Sequence, residues 1–96
     1  MGRFGLRDEV LAFIVGAAQA HGIERVILFG SRATGCFSEK SDIDLALSGG
    51  CIHDFEAALE EECPTLLSFD FIDMGQGISE GLRDRIAEEG VVLYEV

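Results

Sequence analysis

Apolar residues at Leu6, Val10, Phe13, Ile14 and Ala17 recur every three or four positions, which predicts a helix over residues 6–21 with Gly22 as its stop. The rhythm then changes. Residues 23–29, IERVILF, are β-branched and apolar on both faces, the mark of a central strand, ended by Gly30. Residues 31–40, SRATGCFSEK, follow neither period and read as a turn or short helix. Residues 41–48, SDIDLALS, alternate, with Asp42, Asp44 and Ala46 on one side and Ile43, Leu45 and Leu47 on the other. Gly49 and Gly50 break that strand. A helix of about ten residues follows, with Ile52, Phe55, Ala58 and Leu59 as its stripe and Pro64 closing it. Residues 66–73, LLSFDFID, predict a third strand, MGQG a turn, and Ser79 the N-cap of a helix with Leu82 and Ile86 inward and Gly90 as its stop. VVLYEV, 91–96, is the last strand.

The order α-β-β-α-β-α-β predicts an α/β (α+β) domain with a small mixed sheet and helices packed on it. The connection between the first two strands is about eleven residues, short for a crossover, so those strands are expected to be antiparallel neighbours. Ninety-six residues form one domain, 1–96, and 48% apolar composition supports a modest core. A domain this small is marginal alone, and a partner is expected to complete its functional surface. No repeat or low-complexity segment interrupts it.

Charge narrows the partners. Seven basic and eighteen acidic residues give −11, which disfavours a long nucleic-acid ligand, since phosphate binding needs a Lys/Arg footprint. The acidity suits metal ions or a basic protein, or serves solubility. Cys36, Cys51 and Cys63 are odd in number and lack metal-ligand spacing, so with only His21 and His53 a zinc site is not expected. They read as reduced thiols of a cytoplasmic protein. MGRFGLRDEV has neither the apolar core nor the cleavage site of a signal peptide, and Leu6 breaks the myristoylation pattern. VLAFIVGAAQA is too short to span a membrane.

The two strand aspartates carry the chemistry. Residues i and i+2 of a strand share a face, so Asp42 and Asp44 lie side by side and repel. A divalent cation between them turns repulsion into binding, and hard cations such as Mg²⁺ combine carboxylate with phosphate oxygens. The bland alternative is a pair of edge charges, but Asp is a poor strand former in an otherwise core-like strand. Gly30-Ser31 ends a buried strand, where glycine admits close backbone approach and turn amides with a hydroxyl can hold a phosphate. An ordinary strand-ending turn is the plain reading of the same two residues. Two rival phosphate motifs fail. GSRATGCF has P-loop glycines but places Cys36 and Phe37 where Lys and Ser/Thr are required. GQGISEG, 75–81, imitates a dinucleotide fingerprint with Glu95 downstream, but its glycine spacing is off and a two-lobed crevice does not fit the length.

Gly30-Ser31, ten residues, then Asp42-Ile43-Asp44 resembles the GS-x10-DxD signature of the DNA polymerase beta-like nucleotidyltransferase superfamily. GSRATG, SDIDLAL, FDFIDM and LRDRIAEEGVVLYE follow one another as the family's blocks do, over nearly the whole chain. The chain looks most like the minimal nucleotidyltransferases, which usually occur as antitoxins with a HEPN-domain toxin. That resemblance implies a Mg²⁺-dependent transfer of AMP from ATP to a hydroxyl, with two Mg²⁺ ions. It implies Asp42, Asp44 and Asp70 as metal ligands, Asp70 also as base for the acceptor. It implies Gly30 and Ser31 as the triphosphate turn, with Arg32 and Ser41 as further nucleotide contacts. The acceptor it implies is a tyrosine of the partner toxin, in a hetero-oligomer, with no direct nucleic-acid or membrane contact. Two alternatives stay open: an antitoxin acting by contact alone, and a small-molecule nucleotidyltransferase of the aminoglycoside type, whose usual acceptor-binding domain is missing here. Asp73 reads as a strand-end aspartate, His53 as a helix-start or surface residue, and Arg83 and Arg85 as solvated helix charges.

Overall fold

The computed structural model describes residues 3–96. A 3-10 turn at Arg3–Gly5 leads into α1 (Asp8–Ala20), followed by β1 (Arg25–Phe29), the single-turn α2 (Ser31–Thr34), β2 (Ile43–Ser48), α3 (Ile52–Glu62), β3 (Phe69–Asp73), α4 (Glu80–Glu89) and β4 (Val91–Glu95). Every expected element is present. Helix α1 begins two residues later than expected, with Asp8 and Glu9 in its first turn where the helix dipole favours negative charge. It ends in a Schellman motif: Gly22 takes φ +68°, and Gly22 N–H and Ile23 N–H donate to Gln19 O and Ala18 O. That hold on Ile23 delays β1 to Arg25.

The sheet order is β3-β2-β1-β4. Strands β1 and β2 are antiparallel as expected, with Phe29 opposite Asp44. β4 lies antiparallel on the other side of β1, with a register shift between Val26 and Ile27. β3 runs parallel to β2, reached through the α3 crossover. The expected strand 66–73 is shortened at its start. Pro64 has no amide to give and the Thr65 hydroxyl captures Leu67 N–H at 3.1 Å, so pairing with β2 begins only where Ile43 N–H donates to Ser68 O at 2.9 Å.

The alternation of β2 divides the molecule into layers. Ile43, Leu45 and Leu47 are fully buried and meet Val10, Ile14 and Ala18 of α1 and Phe55 and Leu59 of α3. Phe71 extends that layer, edge-on to Phe55 at 6.4 Å and stacked on Phe69 at 5.6 Å. On the other face a smaller cluster joins Phe29, Ala46 and Ile86, flanked by Ile27, Ile72, Met74, Ile78 and Leu82. Helix α4 covers that face. Ser79 is its N-cap as expected, the hydroxyl accepting from Leu82 N–H at 3.2 Å. Among the described residues no helix is long and apolar enough to cross a membrane.

Leu45, with no exposed surface at the centre of the larger layer, sets a stability test. Leu45→Ala is expected to cost about 3–4 kcal/mol through lost burial and the cavity left behind, read as a lower urea midpoint at unchanged slope.

Candidate active site

Both helix-facing layers place Asp44 on the α4 side of the sheet, because its neighbours Ile43 and Leu45 are committed to the other. Parallel register sets Asp70 of β3 directly beside Asp44, and neighbouring strands lie about 4.8 Å apart. Asp42 precedes β2 by one residue and is exposed, as is Asp70, whereas Asp44 is half-buried. Burial, the Asp70 carboxylate and the Asp42 carboxylate push the Asp44 carboxyl above its usual range, opposed by the Arg85 guanidinium. Asp44 thus lies beside Asp70 and within electrostatic reach of Asp42, and both repel it.

Gly30 ends β1 beside this group with φ +77° and ψ −156°. A β-carbon there would collide with Asp44 Oδ2, so glycine serves both the backbone conformation and the approach of the carboxylate. The chain then turns at once into α2. Gly30 O accepts from Ala33 N–H and Thr34 N–H at 3.2 Å each. The amides of Ser31 and Arg32 precede the first intrahelical bond, as in any first helical turn. Ser41 closes a local turn: its hydroxyl accepts from Ser38 N–H at 2.9 Å, and its own amide donates to Ser38 O at 3.2 Å.

Arg32 departs from expectation. Its side chain is 1% exposed and donates to Ser41 O (3.1 and 2.9 Å), Phe4 O (3.0 Å) and Glu39 O (3.3 Å), with the Phe37 ring 5.1 Å from the guanidinium. With its donors turned to backbone carbonyls, it does not reach out to a triphosphate; it braces the loop between α2 and β2. A buried position invisible in the sequence is the reason. The cation that sequence reasoning set aside, Arg85, is the one that acts on Asp44. It is exposed, ion-paired to Glu89 at 3.6 Å, and next in sequence to Ile86, which packs on Ala46 and Phe29. Its spacing of three from Leu82, also at that cluster, was the available signal. Asp73 behaves as a strand-end aspartate, with Oδ1 accepting from Gly75 N–H at 2.8 Å. His53 lies exposed in the first turn of α3. Cys36, Cys51 and Cys63 are free thiols.

The donor set fits a hard divalent cation: carboxylate oxygens only, mutually repelling, beside a backbone turn that glycine keeps open. Among the described residues no three His, Cys, Asp or Glu side chains converge closely enough to hold an ion unaided; a cation here would complete its shell with phosphate and water. Grooves of about 390 Å³ (Leu11, Ala12, Val15, Gly16, Gln19, Leu93) and 430 Å³ (Arg7 and residues 63–66) lie away from these carboxylates.

Residues 14–96 match the family described as polymerase beta, nucleotidyltransferase. The chain belongs to this nucleotidyltransferase family. Solved structures share its fold. A crystal structure of a toxin–antitoxin with AMP-PNP aligns with a TM-score of 0.71 at 20% identity, covering 90% of this chain and 73% of that one. A mutant of the toxin–antitoxin MntA–HpeT aligns at 0.70 and 18% identity with the same coverage. A putative nucleotidyltransferase from Sulfolobus solfataricus aligns at 0.50 and 19% identity, covering 99% of this chain and 90% of that one. No curated protein matches the sequence significantly.

Two outcomes follow from the geometry. A carboxyl whose folded pKa lies above its unfolded value gives stability that is fully present below the unfolded pKa and lost as pH rises through the folded one. Asp44→Asn is therefore expected to raise the melting temperature at pH 7 without metal. It should also flatten the stability gain of the wild type on mild acidification, in melts across pH 4–8. Gly30→Ala, which sets a β-carbon against Asp44 at positive φ, is expected to cost about 1–3 kcal/mol in urea unfolding.

Proposed function

We propose that the protein is a nucleotidyltransferase antitoxin that moves AMP from ATP to a hydroxyl of its partner toxin, a tyrosine of a HEPN-domain protein. The observation that carries this reading is the register of Asp44 and Asp70 with Gly30 pressed on the Asp44 carboxylate. That arrangement brings Asp44 beside Asp70 and against the turn that opens α2. Membership of the nucleotidyltransferase family supports the reaction class, and the likeness to toxin–antitoxin structures, one holding AMP-PNP, supports the partner and the nucleotide.

In this mechanism the Gly30-Ser31 turn orients the triphosphate, with the Ser31 hydroxyl and first-turn amides as donors. Asp70, exposed on the edge strand, takes the proton of the acceptor hydroxyl. The hydroxyl oxygen bonds to the α-phosphorus, the α–β phosphoanhydride bond breaks, and pyrophosphate leaves. Asp42, Asp44 and Asp70 would hold Mg²⁺, which when bound neutralises phosphate charge and lowers the pKa of the attacking hydroxyl.

The charge of −11 also favours a second reading, neutralisation of a basic toxin by contact alone. Purified protein, Mg²⁺ and α-labelled ATP, with and without the neighbouring-gene product, separate the two by intact mass. Transfer predicts an AMP adduct on the partner that disappears, by at least about a hundredfold in rate, with Asp42→Asn. A stable complex that binds nucleotide and forms no adduct would leave the contact reading.

A further inference from the structure

We propose that Arg32 is a positioning residue that locks the phosphate turn and the Asp42-bearing strand start into one unit. The proposal rests on the nucleotidyl-transfer reading above. The backbone of Arg32 follows Ser31 directly, inside α2. Its side chain crosses to the far end of the loop and gives two of its hydrogen bonds, at 3.1 and 2.9 Å, to Ser41 O. That oxygen belongs to the peptide unit that delivers Asp42, so the bonds fix the plane from which the Asp42 side chain departs.

A buried guanidinium is costly unless its donors are met. Among the described residues no carboxylate pairs with Arg32; backbone oxygens meet it instead. Glu39 O adds a second hold on the loop and Phe4 O ties in the N-terminal turn. The Phe37 ring closes over the cation and packs against Gly5, where a β-carbon would strike the ring. The chain between α2 and β2 has no helix or strand of its own. Among the described residues, the other hydrogen bonds shaping residues 38–41 are the local Ser38–Ser41 pair. Only a planar group with five donors in a fixed fork meets carbonyls from two directions. Lysine offers a point charge and cannot hold the same three oxygens.

The test compares wild type, Arg32→Lys and Ile14→Val. Ile14→Val trims the remote α1 core and controls for a general loss of stability. Binding of Mg²⁺ and AMP-PNP is measured by calorimetry, melting without ligand, and transfer as kcat and KM. The expected result is wild-type affinity in Ile14→Val despite its lower melting temperature, and an affinity loss of about tenfold or more in folded Arg32→Lys. In that variant kcat should fall further than KM rises, by about a hundredfold, because Asp42 is misplaced. Folded Arg32→Lys with wild-type affinity and rate overturns the proposal. If Arg32→Lys does not melt cooperatively, Phe37→Leu, which keeps the guanidinium and removes the ring over it, carries the test: a several-fold affinity loss supports the proposal and an unchanged affinity overturns it. A wild type that binds no Mg²⁺ and AMP-PNP overturns the proposed reaction and this inference together. Binding wild type with unaffected variants overturns this inference alone.

Discussion

A half-buried carboxylate between two others is an unfavourable thing to build, and the acidic end of this sheet is organised around that repulsion at Asp44. The core supplies the opposing force. Ile43, Leu45 and Leu47 have no exposed surface, and a slip of one residue would turn all three toward the α4 face and Asp44 into the larger core. Register is thus fixed by apolar burial, and the charges follow. Gly30 allows the carboxylate to sit against the end of β1, and Arg85 offsets part of the repulsion from α4.

The architecture was largely legible because two periods, near 3.6 and 2, alternate cleanly along the chain. The antiparallel pairing of β1 with β2 followed from connection length alone. Boundaries were less legible: the late starts of β1 and β3 depend on hydrogen bonds from Ile23 and Leu67 that no apolar pattern records. The juxtaposition of Asp44 with Asp70 was reachable only through family resemblance, since the sequence separates them by a whole helix and the parallel register is a tertiary fact. Gly30-Ser31 and Ser41 lie at the two ends of the connection between β1 and β2.

The two arginines show where sequence reasoning stops. Arg32 follows a phosphate-type turn, where a phosphate contact is expected, yet it lies under Phe37 among backbone oxygens. Arg85 sits on an acidic helix and is exposed, as its sequence suggests, and its charge also acts on Asp44 in the strand below. Local sequence gives the charge of a side chain. The direction in which that charge points is set by packing, here by Phe37 for one residue and by Ile86 for the other.

The pairing of β1 with both β2 and β4 has a consequence in time. Arg25 meets Ser48 early in the chain and Glu95 about seventy residues later, and closing so long a loop is slow compared with forming the neighbouring hairpin. During synthesis, α1, β1 and β2 can associate while the other side of β1 still presents its free amides and carbonyls. A nascent chain therefore passes through a stage in which its most apolar strand is an open edge, the stage at which chaperone capture or mispairing with another copy competes with folding.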